Sequence, residues 1–223
     1  MSNNYAGDDD LIINPSSRIP VCLVLDVSGS MYDCIERVEE GVERFYESVR
    51  NCETAKDSCE IAIVTFGSDV NVLEDFSLVE TKKPVHLTAT GGTDMTGGVS
   101  KALELLEQRK EDYKRNGVDY YQPWIVIMTD GCPNDPESLR KEQQKMLEME
   151  SNRKLTTFVL AIGDDTDMEI LSGFSKRSPL HLKELKFEQF FEWLGKSVSV
   201  VSTSQVGDKV KLDVSTIDEW AEI

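Results

Sequence analysis

Three groups of oxygen-bearing side chains stand out in this sequence by type and spacing. Asp26, Ser28 and Ser30 recur at every second position of VCLVLDVSGSM, residues 21–31, and Gly29 relaxes the backbone between the last two. Thr88, Thr90, Thr93, Asp94 and Thr96 fall among four glycines in TATGGTDMTGG, residues 88–98. Thr129 and Asp130 end the apolar run PWIVIMTD, residues 123–130, as Asp26 ends its own. Carboxylates and hydroxyls are the hard donors that Mg2+ or Mn2+ prefers, and a loop leaving a strand at Asp26 can turn all three of its oxygens onto one point. Helix capping is the rival reading, because Ser, Thr and Asp ahead of an amphipathic helix satisfy its free N–H groups. Phosphate binding is a third option for the glycine-rich stretch, but the pattern G-x-x-x-x-G-K-[ST] is absent and no Lys falls in the loop. On these residues alone, capping and metal ligation both stand.

The elements that must position these groups are legible from hydrophobic periodicity. Val21, Leu23, Val24 and Leu25 form a continuous apolar run, which predicts a strand buried on both faces, as in a parallel sheet covered by helices. Ile35, Val38, Val42, Phe45 and Val49 recur at three and four residues with acids on the other face, so residues 32–50 predict an amphipathic helix. Residues 60–67 and 70–79 read as two strands joined by a short turn around Gly67-Ser68-Asp69, a connection that fits an antiparallel hairpin. Helices are expected over 99–112, 135–150 and 187–200, and strands over 123–130, 155–162 and about 180–182. Alternation of this kind implies an α/β fold: a doubly wound, mostly parallel six-stranded sheet with one antiparallel edge strand and helices on both faces. In such sheets ligands sit beyond the C-terminal ends of the strands, where connections diverge. All three oxygen-bearing groups follow or adjoin that edge.

Composition narrows the classes. A chain of 223 residues buries a sizeable core as one domain, expected here over residues 18–200, between a loose acidic arm (1–17) and a tail (201–223) that either pairs as an added strand or hangs free. The net charge of −17 argues against nucleic acid or an anionic membrane as partner. Five cysteines without a C-x-x-C pair indicate reduced thiols rather than a disulfide framework or zinc cluster. The start MSNNYAGDDD has no signal-peptide pattern, and no segment approaches the ~20 apolar residues of a membrane span, so the expected location is cytoplasmic. The Asp8–Asp10 run reads as a solvated terminus, Asp164-Asp165-Thr166-Asp167 as a solvated helix start, and His86 and His181 as surface or core residues.

Asp26-Val27-Ser28-Gly29-Ser30, the Gly-Gly-Thr of residues 91–93 and the Met-Thr-Asp-Gly of 128–131 together resemble the metal-ion-dependent adhesion site of von Willebrand factor A (VWA) domains. The resemblance covers roughly residues 18–200. Within that family RIPVCLVLDVSGSM, the early GGTD and the closing FEQFFEWLGKSV are most similar to small bacterial members of the tellurite-resistance and stress-response type. The resemblance implies that Ser28, Ser30 and Thr93 ligate a metal through their hydroxyls, with Asp26 and Asp130 binding directly or through water. It implies Mg2+, with Mn2+ or Ca2+ as alternatives, and a non-enzymatic module whose ion accepts an Asp or Glu from a protein partner. It further implies cytoplasmic assemblies with kinase- or phosphatase-like stress proteins, and a last helix that shifts on ligand entry. Asp94 departs from many members, and is expected either to hold a water or to weaken an incoming acid. Lys82, Lys83 and Lys101 are the candidate cations beside the threonine loop. The competing class, a Mg2+-dependent hydrolase or phosphatase, lacks a D-x-D-x-[TV] nucleophile loop in this sequence; a structural domain with an unused site leaves the five residues unexplained.

Overall fold

The computed structural model describes residue 11 and residues 14–131, 135–163 and 166–222. Its centre is β1 (Ile19–Asp26), in which every residue is buried. β1 pairs in parallel with β2 (Cys59–Phe66) on one side and with β4 (Trp124–Thr129) on the other. The apolar run at residues 21–25 thus becomes a central strand covered on both faces, as its lack of alternation requires. β3 (Val70–Leu78) returns antiparallel along β2 as the expected hairpin. Beyond β4 lie β5 (Thr156–Ala161) and the short β6 (Leu180–Leu182), both parallel. The tail supplies β7 (Ala221–Glu222), antiparallel to β6, so the sheet order is β3-β2-β1-β4-β5-β6-β7. The sheet therefore has seven strands where six are read from the sequence, and two antiparallel edges instead of one. A two-residue strand carries too short a pattern to be seen without its neighbour.

Two cores flank the sheet. On one face α1 (Ile35–Arg50), the short α2 (Glu53–Ser58) and α6 (Phe187–Ser202) pack on Val21, Leu23 and Leu25. On the other, α3 (Met95–Asn116), α4 (Pro136–Ser151) and α5 (Met168–Ser172) cover Cys22 and Val24. α3 starts four residues before the apolar pattern does, because Asp94 caps it, and it stops at Gly117, which adopts the left-handed φ of 67° that a helix C-terminus favours.

At the edge where β1 and β2 begin, the buried Glu60 carboxylate accepts from Arg18 Nε (3.1 Å), Arg109 Nε (2.7 Å) and Tyr113 Oη (2.5 Å). This buried charge is fully engaged, as burial demands. The tail is also fastened, with Tyr121 Oη donating to the Ser204 carbonyl (2.7 Å) and Trp193 Nε1 to that of Asp213 (2.6 Å). Cys22, Cys34 and Cys59 are buried free thiols and Cys52 is partly exposed; Cys132 lies outside the described residues. So do most of the expected N-terminal arm, with its Asp8–Asp10 run, and Asp164 and Asp165. No helix among the described residues is long and apolar enough to cross a membrane.

Candidate metal centre

β1 and β4 are adjacent and end level, so their terminal carboxylates emerge at one edge. Asp26 is fully buried. Its Oδ1 accepts from the backbone N–H of Ser28 (2.8 Å), and its Oδ2 from the Thr129 hydroxyl at the end of β4 (2.6 Å). Ser28 Oγ lies 3.1 Å from Ser30 Oγ, and Ser30 Oγ donates to Asp130 Oδ1 at 2.8 Å. A continuous chain of oxygens therefore links the two strand ends. Thr93 arrives from the other side: a methyl built on Gly131 would sit 3.8 Å from its Oγ1. Asp26, Ser28, Ser30, Thr93 and Asp130 are thus brought to the same rim, from three separate loops. Gly29 and Ser30 are exposed, which leaves the rim open to solvent.

The threonine loop has no strand or helix of its own over residues 82–94 and is held by others. The Thr90 N–H donates to the Val27 carbonyl (2.8 Å), Gly29 N–H to that of Gly91 (3.1 Å), and Asp94 N–H to that of Gly67 (2.7 Å). Ser68 Oγ accepts from Gly92 N–H (2.8 Å). Upstream, α1 reaches over: Glu43 accepts from Val85 N–H (3.2 Å) and Glu39 from Leu87 N–H. Glu39, Glu43 and Ser68 position the loop, and the sequence gives no signal for any of them. Acids on the polar face of an amphipathic helix read as solvated, whereas these two cap an extended backbone that would otherwise lack partners.

Electrostatics fit a cation. Burial pushes the Asp26 carboxyl above its ordinary value. The hydroxyls of Ser28 and Thr129 pull it back only in part, and neighbouring Asp130 adds to the rise. Burial likewise raises Asp130, against the Ser30 hydroxyl. Among the described residues no Lys or Arg forms an ion pair with either carboxylate. Two like charges facing each other without a counter-ion favour a divalent cation, and an all-oxygen donor set suits a hard one. No trio of His, Cys, Asp or Glu gathers among the described residues; the donor set here is two carboxylates and three hydroxyls.

The capping rival resolves residue by residue. Ser28 precedes a 3-10 turn (Gly29–Asp33) but makes no side-chain cap. Asp94 does cap, accepting from Gly97 N–H at 2.9 Å, a role that the sequence reading of this position did not include. Asp167 caps α5 through Ile170 N–H (3.0 Å), in keeping with a helix start. Lys82 is not available to the rim: it is 8% exposed and bound to Glu74 at 2.9 Å. Lys101 pairs with Glu104 (3.0 Å), leaving exposed Lys83 as the one of the three without an ion pair among the described residues.

The chain belongs to the von Willebrand factor type A domain family, whose model matches residues 21–191. Members of this family are known for metal-dependent protein interactions and are generally non-enzymatic. Among solved structures, the chain resembles the pilus adhesin SpaC from Lactobacillus rhamnosus GG in its open conformation. The TM-score is 0.68 at 12% identity, covering 83% of this chain and 30% of that one. A von Willebrand factor type A protein from Catenulispora acidiphila gives 0.65 at 14% identity, covering 82% and 43%. Proximal thread matrix protein 1 from the mussel byssus, with a zinc-occupied MIDAS motif, gives 0.54 at 15% identity, covering 82% and 48%. The chain spans less than half the length of each.

Proposed function

We propose that this chain is a divalent-metal-dependent protein-binding module, in which Asp26, Ser28, Ser30, Thr93 and Asp130 hold Mg2+, with Mn2+ or Ca2+ as alternatives. The observation that carries the reading is the pair of carboxylates at the ends of β1 and β4, joined through Ser30 and unaccompanied by any cationic side chain among the described residues. When bound, the cation supplies a Lewis-acidic position open to a carboxylate from a protein partner. The protein's own part is orientation. Thr129 and the Ser28 N–H fix both oxygens of Asp26, and the pinned loop at 82–94 presents Thr93. Neutral hydroxyls let two carboxylates balance a doubly charged ion, so an incoming acid is not repelled by excess negative charge.

The module works by binding rather than turnover. Of the two histidines that a hydrolytic reading would use as a base, His86 is exposed on the loop and His181 engages the Gly163 carbonyl at 2.9 Å. The likeness of residues 18–31 and 187–198 to small tellurite-resistance proteins supports a cytoplasmic stress-response assembly, with kinase- or phosphatase-like proteins as partners. The test is calorimetric titration of MgCl2 into the wild type and Ser28→Ala, followed by capture of an acidic partner protein in Mg2+ and in EDTA. Loss of metal binding in the folded variant, and loss of capture in EDTA, are expected. Capture that survives EDTA overturns the reading.

A further inference from the structure

The chain carries a large excess of acid, yet its cations are not spread evenly. A cleft of about 1130 Å3 opens at the edge of the sheet where β4 and β5 begin, and eight of the chain's 24 Lys and Arg side chains line it, against four of its 41 Asp and Glu. Two of the eight are matched within the cleft, Lys110 to Glu107 and Arg177 to Glu150. The other six, Lys114, Lys145, Arg153, Lys154, Lys176 and Lys209, are exposed and form no ion pair among the described residues. Cations at helix C-termini offset the helix dipole, which accounts for Lys114 beside the end of α3 and for Arg153 and Lys154 after α4. It does not account for Lys145 within α4, Lys176 ahead of β6 or Lys209 on the tail, which come from three different elements to the same rim.

We propose that this cleft is a docking surface for an acidic, partly apolar peptide segment of a partner protein. Charge selects the sign of the occupant: a local excess of positive charge attracts an acid at close range even on a molecule of net charge −17. The remaining −17 selects against a long polyanion such as nucleic acid, whose extended charge would meet repulsion beyond the cleft. The lining also selects for apolar groups between the acids, since Tyr120, Tyr121, Met149 and Val206 share the cleft with the cations. Its volume exceeds the roughly 300–1,000 Å3 common for small-molecule sites, as a peptide would require. One wall is the tail, held in place at Ser204 and Asp213, so the surface is formed before a ligand arrives.

The cleft is separate from the metal rim. It borders Trp124 and Thr156, the first residues of β4 and β5, whereas the rim lies past Thr129, six strand residues or roughly 20 Å away. Two acid-accepting sites at opposite edges of one sheet make the chain an adaptor able to hold two partners.

Fluorescence anisotropy with a short labelled peptide alternating Glu with Leu and Phe, in EDTA, tests this on the full chain. Saturable binding is expected. It should weaken by about tenfold or more in Lys145→Glu/Lys154→Glu/Lys176→Glu, three exposed sites, while that variant still binds Mg2+ as the wild type does. Should the triple variant not fold, replacing Glu by Gln in the peptide asks the same question of the wild type, with loss of binding expected. Absence of binding, binding only in Mg2+, equal binding by the Gln peptide, or displacement by a single-stranded oligonucleotide at lower concentration than by unlabelled peptide would each overturn the proposal.

Discussion

Asp26 is held by two hydrogen bonds, one from the loop that follows β1 and one from the end of β4, and this decides how the rim behaves. With Oδ1 on the Ser28 N–H and Oδ2 on the Thr129 hydroxyl, its carboxylate cannot rotate, and the burial that raises its pKa is tolerated because both oxygens have partners. Thr129 also accepts from Gly131 N–H at 3.1 Å, which sets the turn carrying Asp130. Thr129→Val keeps the shape and removes both bonds. Groups that orient metal ligands typically contribute ten- to a hundredfold in affinity, so Mg2+ should bind about tenfold more weakly to Thr129→Val. Calorimetric titration reads this; unchanged affinity would mean that Asp26 is fixed by Ser28 alone. Spacing makes Asp26, Ser28 and Ser30 visible in the sequence, because alternate residues after a buried strand share an outlet. The roles of Thr129 and Asp94 were not separable there. Both are short oxygen side chains at element ends, and only the direction of each hydrogen bond distinguishes a holder from a cap.

Between helices, α1 and α6 approach closely. A methyl on Gly41 of α1 would overlap the Phe191 ring, and one on Gly195 of α6 would overlap the Ser48 side chain, so a glycine on each helix admits the other. The aromatic side of α6 fills the space this creates, with Phe45 and Phe191 centroids at 6.2 Å and Phe190 and Trp193 at 6.0 Å. Gly41→Ala should therefore destabilise the fold by about 1–3 kcal/mol through overpacking, despite alanine's better helix propensity. For a chain of this size that lowers Tm by roughly 2–12 °C. Differential scanning calorimetry checks it; a raised Tm would mean that the helices separate without cost. The apolar stripes of both helices were plain in the sequence, whereas their contact was not, since periodicity shows which face is buried and never what meets it. The same blindness left the tail with two alternatives, an added strand or a free end, and the structure shows the first in β7, two residues paired along the edge of β6.

Across the whole molecule, charge is distributed to match the direction of the sheet. Among the described residues, carboxylates without an ion pair stand at the C-terminal ends of β1 and β4, and six cations without one line the cleft at the N-terminal ends of β4 and β5. Composition alone reported only the sum, −17, and so excluded polyanions without showing where an acid could be received. The rim's share of this arrangement has a measurable consequence. Two partly or fully buried carboxylates facing each other oppose folding, and an ion that binds only the folded chain relieves them. By mass action it also adds about 2.7 kcal/mol of stability at a hundred times its dissociation constant. Tm should therefore rise by roughly 5–11 °C on saturation with MgCl2. NaCl at matched ionic strength should raise it far less, because screening weakens the repulsion without supplying a ligand. Differential scanning fluorimetry on the wild type and Asp26→Ala separates these effects. The variant is expected to respond to both salts alike, and a Mg2+-specific rise that persists in Asp26→Ala would place the ion somewhere other than between β1 and β4.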